Sequence, residues 1–289
     1  MNCKKYLKRV LNYIINGVPV NIIEPKIVSL SKNSLLEGRT ALITGGSSGI
    51  GLGIANAFLK SGASVILTGR NATKLKKVKD TLCECYSSDK IITIVWDMRV
   101  VGDFNSLFHD LLTRINGGKI DILVNNAGVL GCQLANADEK SFDAALETNI
   151  KGPFFLSKIV GEYMKNNHIH GNILNIASSS SFRPAACSYT ISKWGMRGFT
   201  LGLAKALIPY DIVVNGLAPG PTVTPMVKAD GENNYYIEKN PAHRYATIEE
   251  IANMATILVS DMGRMIIGDI VCMTGGAGII TFDDINYKF

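Results

Sequence analysis

The sequence predicts an α/β fold, a single doubly wound parallel sheet of about seven strands with helices on both faces. Three observations carry it. A short apolar strand, Thr40–Thr44, runs directly into a glycine-rich turn, and a helix follows at once. Apolar runs of strand length then alternate with stretches of helical periodicity along the chain. That rhythm places ligands at the carboxyl ends of parallel strands.

The elements follow in order. After Thr40–Thr44 come Gly45-Gly46-Ser47-Ser48-Gly49-Ile50-Gly51, and then Ile50, Ile54, Ala57 and Phe58 mark a helix that stops at Gly62. Strand, glycine turn and helix N-terminus form a cradle for a pyrophosphate, because backbone N–H groups point at it and no Cβ stands in the way. The spacing is G-x-x-x-G-x-G, not the G-x-G-x-x-G of the common dinucleotide fingerprint. A second strand, Ala63–Thr68, ends in Gly69-Arg70-Asn71. An acid here would suit the free ribose hydroxyls of NAD; glycine followed by arginine suits a 2′-phosphate, and so NADP(H) is favoured over NAD(H).

A lysine-rich helix over about 73–85 leads to a third strand, Ile91–Trp96, with Asp97-Met98 positioned to border an adenine. A helix around Phe104–Ile115 precedes Ile120–Val124, which runs into Asn125-Asn126-Ala127-Gly128. Those amides serve neighbouring backbone, a ribose or an ordinary turn. Helices fill 138–167, with Asn149 inside them, where a poor helix former suggests either a surface amide or a kink. Asp211–Leu217 is the sixth strand, followed by Ala218-Pro219-Gly220-Pro221 and an irregular segment from Thr222 to Ala246 of the kind that forms lids. Thr247-Ile248-Glu249-Glu250 caps the next helix, and Asp269–Met273 is the last strand.

The chemistry concentrates between Asn172 and Lys193. An apolar strand breaks into four serines, Ser178–Ser181, and ends with Tyr189 and Lys193 one helical turn apart. A phenol titrates near ~10, so a nearby cation helps it exchange protons at neutrality. Tyr86/Lys90 and Tyr235/Lys239 share the spacing but sit in polar segments; only Tyr189 follows a strand and precedes apolar residues.

The net charge of +6 belongs to the start of the chain. Residues 1–35 hold Lys4, Lys5, Lys8, Arg9, Lys26 and Lys32 against Glu24, leaving a nearly neutral body that argues against nucleic acid. Leu7, Val10, Leu11, Ile14 and Ile15 recur at helical spacing there, fitting either a packed tail or contact with a membrane surface. No segment has the ~20 apolar residues that span a bilayer. Six scattered cysteines give neither a disulfide framework nor zinc spacing, so the reading is a cytoplasmic protein with reduced thiols and no metal.

TGGSSGIG (44–51), NNAG (125–128), Asn149, the strand and serine turn at 172–180, YTISK (189–193) and APGPTVT (218–224) occur in the order of the short-chain dehydrogenase/reductase family, which the chain resembles over about residues 38–276. The likeness leans to the 3-oxoacyl-carrier-protein reductase branch. It implies a Rossmann-like catalytic domain at 36–289 behind a 1–35 extension, acting as a carbonyl reductase in a homodimer or homotetramer on a small carbonyl or alcohol substrate. It implies catalytic roles for Asn149, Ser178, Tyr189 and Lys193, with Ser179 and Ser180 as alternatives for the serine. Cofactor contacts are implied for Gly45, Ser47, Ser48, Gly49, Ile50, Gly51, Arg70, Asn71, Asp97, Met98, Asn125, Ala127, Gly128, Tyr189, Lys193, Pro219, Gly220, Val223 and Thr224. Two departures stand out: Tyr189 comes only eleven positions after Ser178, about two fewer than usual, and Thr274 stands where the family has an aspartate. A non-catalytic NADP(H)-binding regulator is the rival reading.

Overall fold

A computed structural model describes residues 32–115, 118–224 and 234–281. The basic amphipathic stretch predicted at the start of the chain, and residues 225–233 of the irregular segment, lie outside the described residues. Seven parallel strands form one sheet: β1 (Thr40–Ile43), β2 (Ser64–Gly69), β3 (Ile91–Val95), β4 (Ile122–Asn125), β5 (Asn172–Ile176), β6 (Val213–Pro219) and β7 (Ile270–Met273). Their order is β3-β2-β1-β4-β5-β6-β7. From β1 the chain winds outward to β3, then crosses back to start β4 on the other side. The crevice at the carboxyl ends of β1 and β4 is therefore the switch point at which such sheets bind ligands.

Among the described residues, seven helices cover the sheet: α1 (Gly49–Lys60), α2 (Ala72–Cys83), α3 (Phe104–Arg114), α4 (Glu139–Leu146), α5 (Gly152–Asn166), α6 (Ser188–Leu207) and α7 (Ile248–Val259). Alternation along β1 divides the core. Ala41 and Ile43 pack with Ile54 and Phe58 of α1 and Ile251 of α7. Leu42 faces the other layer, with Phe104 and Phe108 of α3 and Leu156 and Val160 of α5. Both faces are covered, which is why the strands read as unbroken apolar runs.

Several boundaries differ from the sequence reading. The sixth strand, expected over Asp211–Leu217, runs Val213–Pro219: it begins at Val213 because Asp211 is left-handed (φ 59°) and closes the preceding turn. The stretch at 138–167 is two helices joined by a π-turn, Glu147–Lys151, which contains Asn149. Contacts with the body begin before residue 36: the Asn33 N–H donates to the Lys60 carbonyl (3.3 Å), and Leu35 packs on the core beside the fully buried Leu36. The described part of the irregular segment has order of its own. Tyr236 pairs antiparallel with Arg244, and the Arg244 guanidinium grips Glu250 at 2.9 and 2.6 Å.

Candidate active site

The cleft above the strand ends has a volume of about 460 Å³. Its floor is the turn between β1 and α1. Gly45 has φ +66°, and a Cβ there would lie 2.9 Å from the Ala127 Cα. A Cβ on Gly51 would strike the Asn126 amide and the Gly45 carbonyl, so α1 starts close against the loop after β4. Thr44 ties the two loops: its hydroxyl accepts from the Asn126 and Ala127 N–H groups at 3.0 Å, and the Asn126 amide returns to the Thr44 carbonyl at 2.9 Å. The N-cap of α1, Ser48, makes no side-chain cap, and the first turn holds no acid. Its N–H groups are thus left for an anion. These features fit a dinucleotide pyrophosphate.

At the far end, Arg70 and Lys74 line the cleft with Asp97. The Asn71 side chain is committed as the cap of α2, accepting from the Lys74 N–H at 2.8 Å. At the near end, Ser178, Tyr189 and Lys193 share one wall. Ser178 follows two residues after β5; it faces the Tyr189 phenol across this wall, and its hydroxyl accepts from the Ser180 N–H at 3.1 Å. Of the four serines, Ser178 alone lines the cleft; the Ser181 hydroxyl instead donates to the Lys193 carbonyl at 2.9 Å and folds the short loop back onto α6.

Lys193 is only 4% exposed, and its ammonium donates to the Ile176 carbonyl at 2.7 Å, 5.6 Å from the centre of the Tyr189 ring. Burial lowers its pKa from 10.5 to about 8. The sequence led us to expect that this cation would draw the phenol down. Instead burial pushes the Tyr189 phenol up, partly offset by the Ser178 hydrogen bond. Desolvation of a phenolate outweighs the favourable contact with Ser178 here.

Asn149, Asn125, Gly51, Val223 and the alternative serines Ser179 and Ser180 do not line the cleft, whereas the other cofactor and catalytic positions implied by the sequence do. The Asn149 carboxamide, 1% exposed, accepts from the Val129 N–H (2.9 Å) and donates to the Val129 carbonyl (3.0 Å) and Ser192 hydroxyl (2.9 Å). The π-turn thus aims it at the loop carrying Gly128 and at α6, clamping that loop to the helix. Asn125 points into the interior, donating to Ser157 and Asn175 at 2.8 Å. Sequence reasoning missed Thr148, Val129 and Lys74, and left Asn126 undecided between a ribose, neighbouring backbone and an ordinary turn. Lys74, four residues after Arg70 where α2 begins, was the one with a legible signal. Thr274 caps the Gly275-Gly276 turn by accepting from the Gly276 N–H at 3.1 Å.

A second hollow of about 500 Å³ lies on the surface of α4 and α5. Its charged pair, Glu147 and Lys151, is satisfied internally at 3.1 Å, and nothing in it resembles an acid–base couple. Among the described residues no cluster suits a metal, and the five cysteines there are free. No helix among them is long and apolar enough to cross a membrane.

Comparison with known proteins agrees with this geometry. The short chain dehydrogenase family model matches residues 39–234. The chain is 31% identical over 246 residues to a 3-oxoacyl-acyl-carrier-protein reductase of Aquifex aeolicus, covering 83% of this chain and 98% of that one. A crystal structure of the 3-ketoacyl-acyl-carrier-protein reductase of Brucella melitensis complexed with NADH superposes with a TM-score of 0.75 at 28% identity, over 84% of this chain and all of that one. A gluconate 5-dehydrogenase of Burkholderia cenocepacia, in complex with NADP and tartrate, also gives 0.75, at 29% identity over 84% and 97%. The chain belongs to the short chain dehydrogenase family and is an oxidoreductase acting on CH–OH groups with a nicotinamide cofactor.

Proposed function

We propose that this protein is an NADPH-dependent carbonyl reductase, moving hydride between the nicotinamide and a ketone or secondary-alcohol carbon, with a 3-oxoacyl thioester as its substrate class. The observation that carries the reading is the shared wall: Ser178 and the Tyr189 phenol line it together, with the Lys193 ammonium one helical turn on and 5.6 Å from the phenol ring centre. Bound nicotinamide supplies the hydride. Ser178 donates to the substrate oxygen as negative charge grows on it. Tyr189, kept protonated at neutrality by burial, passes its proton to that oxygen. Lys193 then favours the phenolate left behind and holds the ribose. Asn149 keeps the Val129 backbone and α6 in register, and supports a water-linked proton path toward the lysine.

NADP(H) is favoured by Arg70 and Lys74 at the adenosine end, where Gly69 leaves no acid to take the ribose hydroxyls. The thioester rests on likeness to the 3-oxoacyl reductases. Subunits pair through the apolar face of α5 and α6, where Phe154, Phe155, Trp194 and Leu201 are exposed. The basic composition of the extension suits contact with a membrane surface as well as packing on its own or a neighbouring subunit, and a cytoplasmic location fits the scattered, unpaired cysteines.

The test is NADPH consumption with a panel containing a 3-oxoacyl thioester, a keto sugar acid and a steroid ketone. The expected outcome is turnover of the thioester, lost by roughly 10²-fold or more in Tyr189→Phe with NADPH affinity kept. Turnover of another ketone alone rejects the thioester. Full activity in Tyr189→Phe rejects the mechanism. Binding without consumption across the panel makes the protein a regulator.

A further inference from the structure

The adenosine end of the cleft carries opposed charges. Arg70 and Lys74 line it, but so does the Asp97 carboxylate, and Arg70 is near enough to act electrostatically on Asp97. Left to itself, that carboxylate would repel a phosphate and draw Arg70 toward itself. Arg99, which does not line the cleft, lies against it. Its Nε donates to Oδ1 and Oδ2 of Asp97 at 3.0 and 3.1 Å, and its Nη2 donates to Oδ2 at 2.6 Å. This is the planar fork-on-carboxylate arrangement that lysine does not reproduce. The Arg99 backbone N–H also donates to Oδ1 at 3.0 Å, so the turn after β3 is held by the main chain independently of the guanidinium.

We infer that Arg99 is a specificity-determining positioning residue: by occupying the Asp97 carboxylate it leaves Arg70 and Lys74 free for the 2′-phosphate of NADP(H). The inference rests on the NADP(H) reading above. It assigns to the guanidinium a role in choosing the cofactor, not in holding the loop. Arg99 touches neither the substrate side of the cleft nor the Tyr189 wall, so hydride and proton transfer are outside its reach.

The experiment measures Kd for NADPH and NADH, by the fluorescence of the reduced nicotinamide, in the wild type, Arg99→Gln, Arg99→Lys, Asp97→Asn and the Arg99→Gln/Asp97→Asn double variant. Arg99→Gln keeps the backbone donor and removes the charge. Its NADPH Kd is expected to rise roughly 3–10-fold at low salt, with NADH unchanged, and the gap is expected to narrow at high salt. Arg99→Lys recovers part of the loss. In the double variant the NADPH-to-NADH ratio returns to that of Asp97→Asn, because no carboxylate is left to mask. Equal losses for both cofactors in Arg99→Gln, or an unchanged ratio, overturn the inference while leaving the NADP(H) reading intact. A wild-type protein that binds NADH as tightly as NADPH overturns that reading, and this inference with it.

Discussion

An ammonium held inside a protein works against folding, and Lys193 is the clearest case here. Its pKa falls from 10.5 to about 8 because burial penalises the charged form. The folded state therefore releases this proton more readily than the unfolded chain. Between about pH 8 and 10.5 the unfolded chain binds more protons, so stability rises with pH across that window; below it the charge costs about 3 kcal/mol. Lys193→Met is expected to melt above the wild type at pH 7, with the difference shrinking by pH 10. Thermal unfolding at both values checks this, and a pH-independent difference would reject it. The same titration limits catalysis: kcat/KM for carbonyl reduction is expected to fall above about pH 8, where the free protein loses the Lys193 charge. The spacing of Tyr189 and Lys193 was legible in the sequence. The direction of the phenol's shift was not, because desolvation depends on every atom packed around the ring.

Helix α7 shows how far local rules reach. Thr247 and Glu250 form the capping box that the sequence suggests: the Glu250 N–H donates to the Thr247 hydroxyl at 3.1 Å, and the Thr247 N–H donates to the Glu250 carboxylate at 2.9 Å. Thr247→Ala should cost about 1 kcal/mol in chemical denaturation, since an orphan donor loses its partner. An unchanged midpoint would mean the cap contributes nothing. What no local rule foretells is that Glu250 also receives the Arg244 fork, joining the cap to the excursion at 234–246. The π-turn is similar. Asparagine inside a helix hinted at a kink, but only packing against Val129 and Ser192 gives the kink a purpose. Asn149→Ala strips a buried N–H and C=O of their partner, and should lower both stability, by about 1–3 kcal/mol, and kcat. Loss of stability with full kcat would leave the clamp a structural feature alone.

Over the whole molecule, polar and apolar surfaces are unevenly shared. Phe154, Phe155, Trp194 and Leu201 are between 40% and 53% exposed on α5 and α6, and the space beside Gly198 and Gly202 is open to a neighbouring backbone. Such a face suits a second subunit. Light scattering is expected to give a dimer or tetramer for the wild type and a smaller species for Phe154→Asp/Leu201→Asp; a monomeric wild type would reject the pairing.

The sequence by itself determined the parallel sheet, and it singled out the glycine turn and the serine, tyrosine and lysine that the fold brings to one cleft. Each is written in local periodicity, or in residue types whose conformational freedom and acidity are intrinsic. Tertiary structure alone decided between Ser178 and the alternatives Ser179 and Ser180 in favour of Ser178, turned Asn125 inward while Asn126 faces the cleft, and laid Arg99 over Asp97. Those outcomes depend on which side of a strand end or turn a side chain leaves from. That is set by the packing of residues far away in the chain, and no window of sequence contains it.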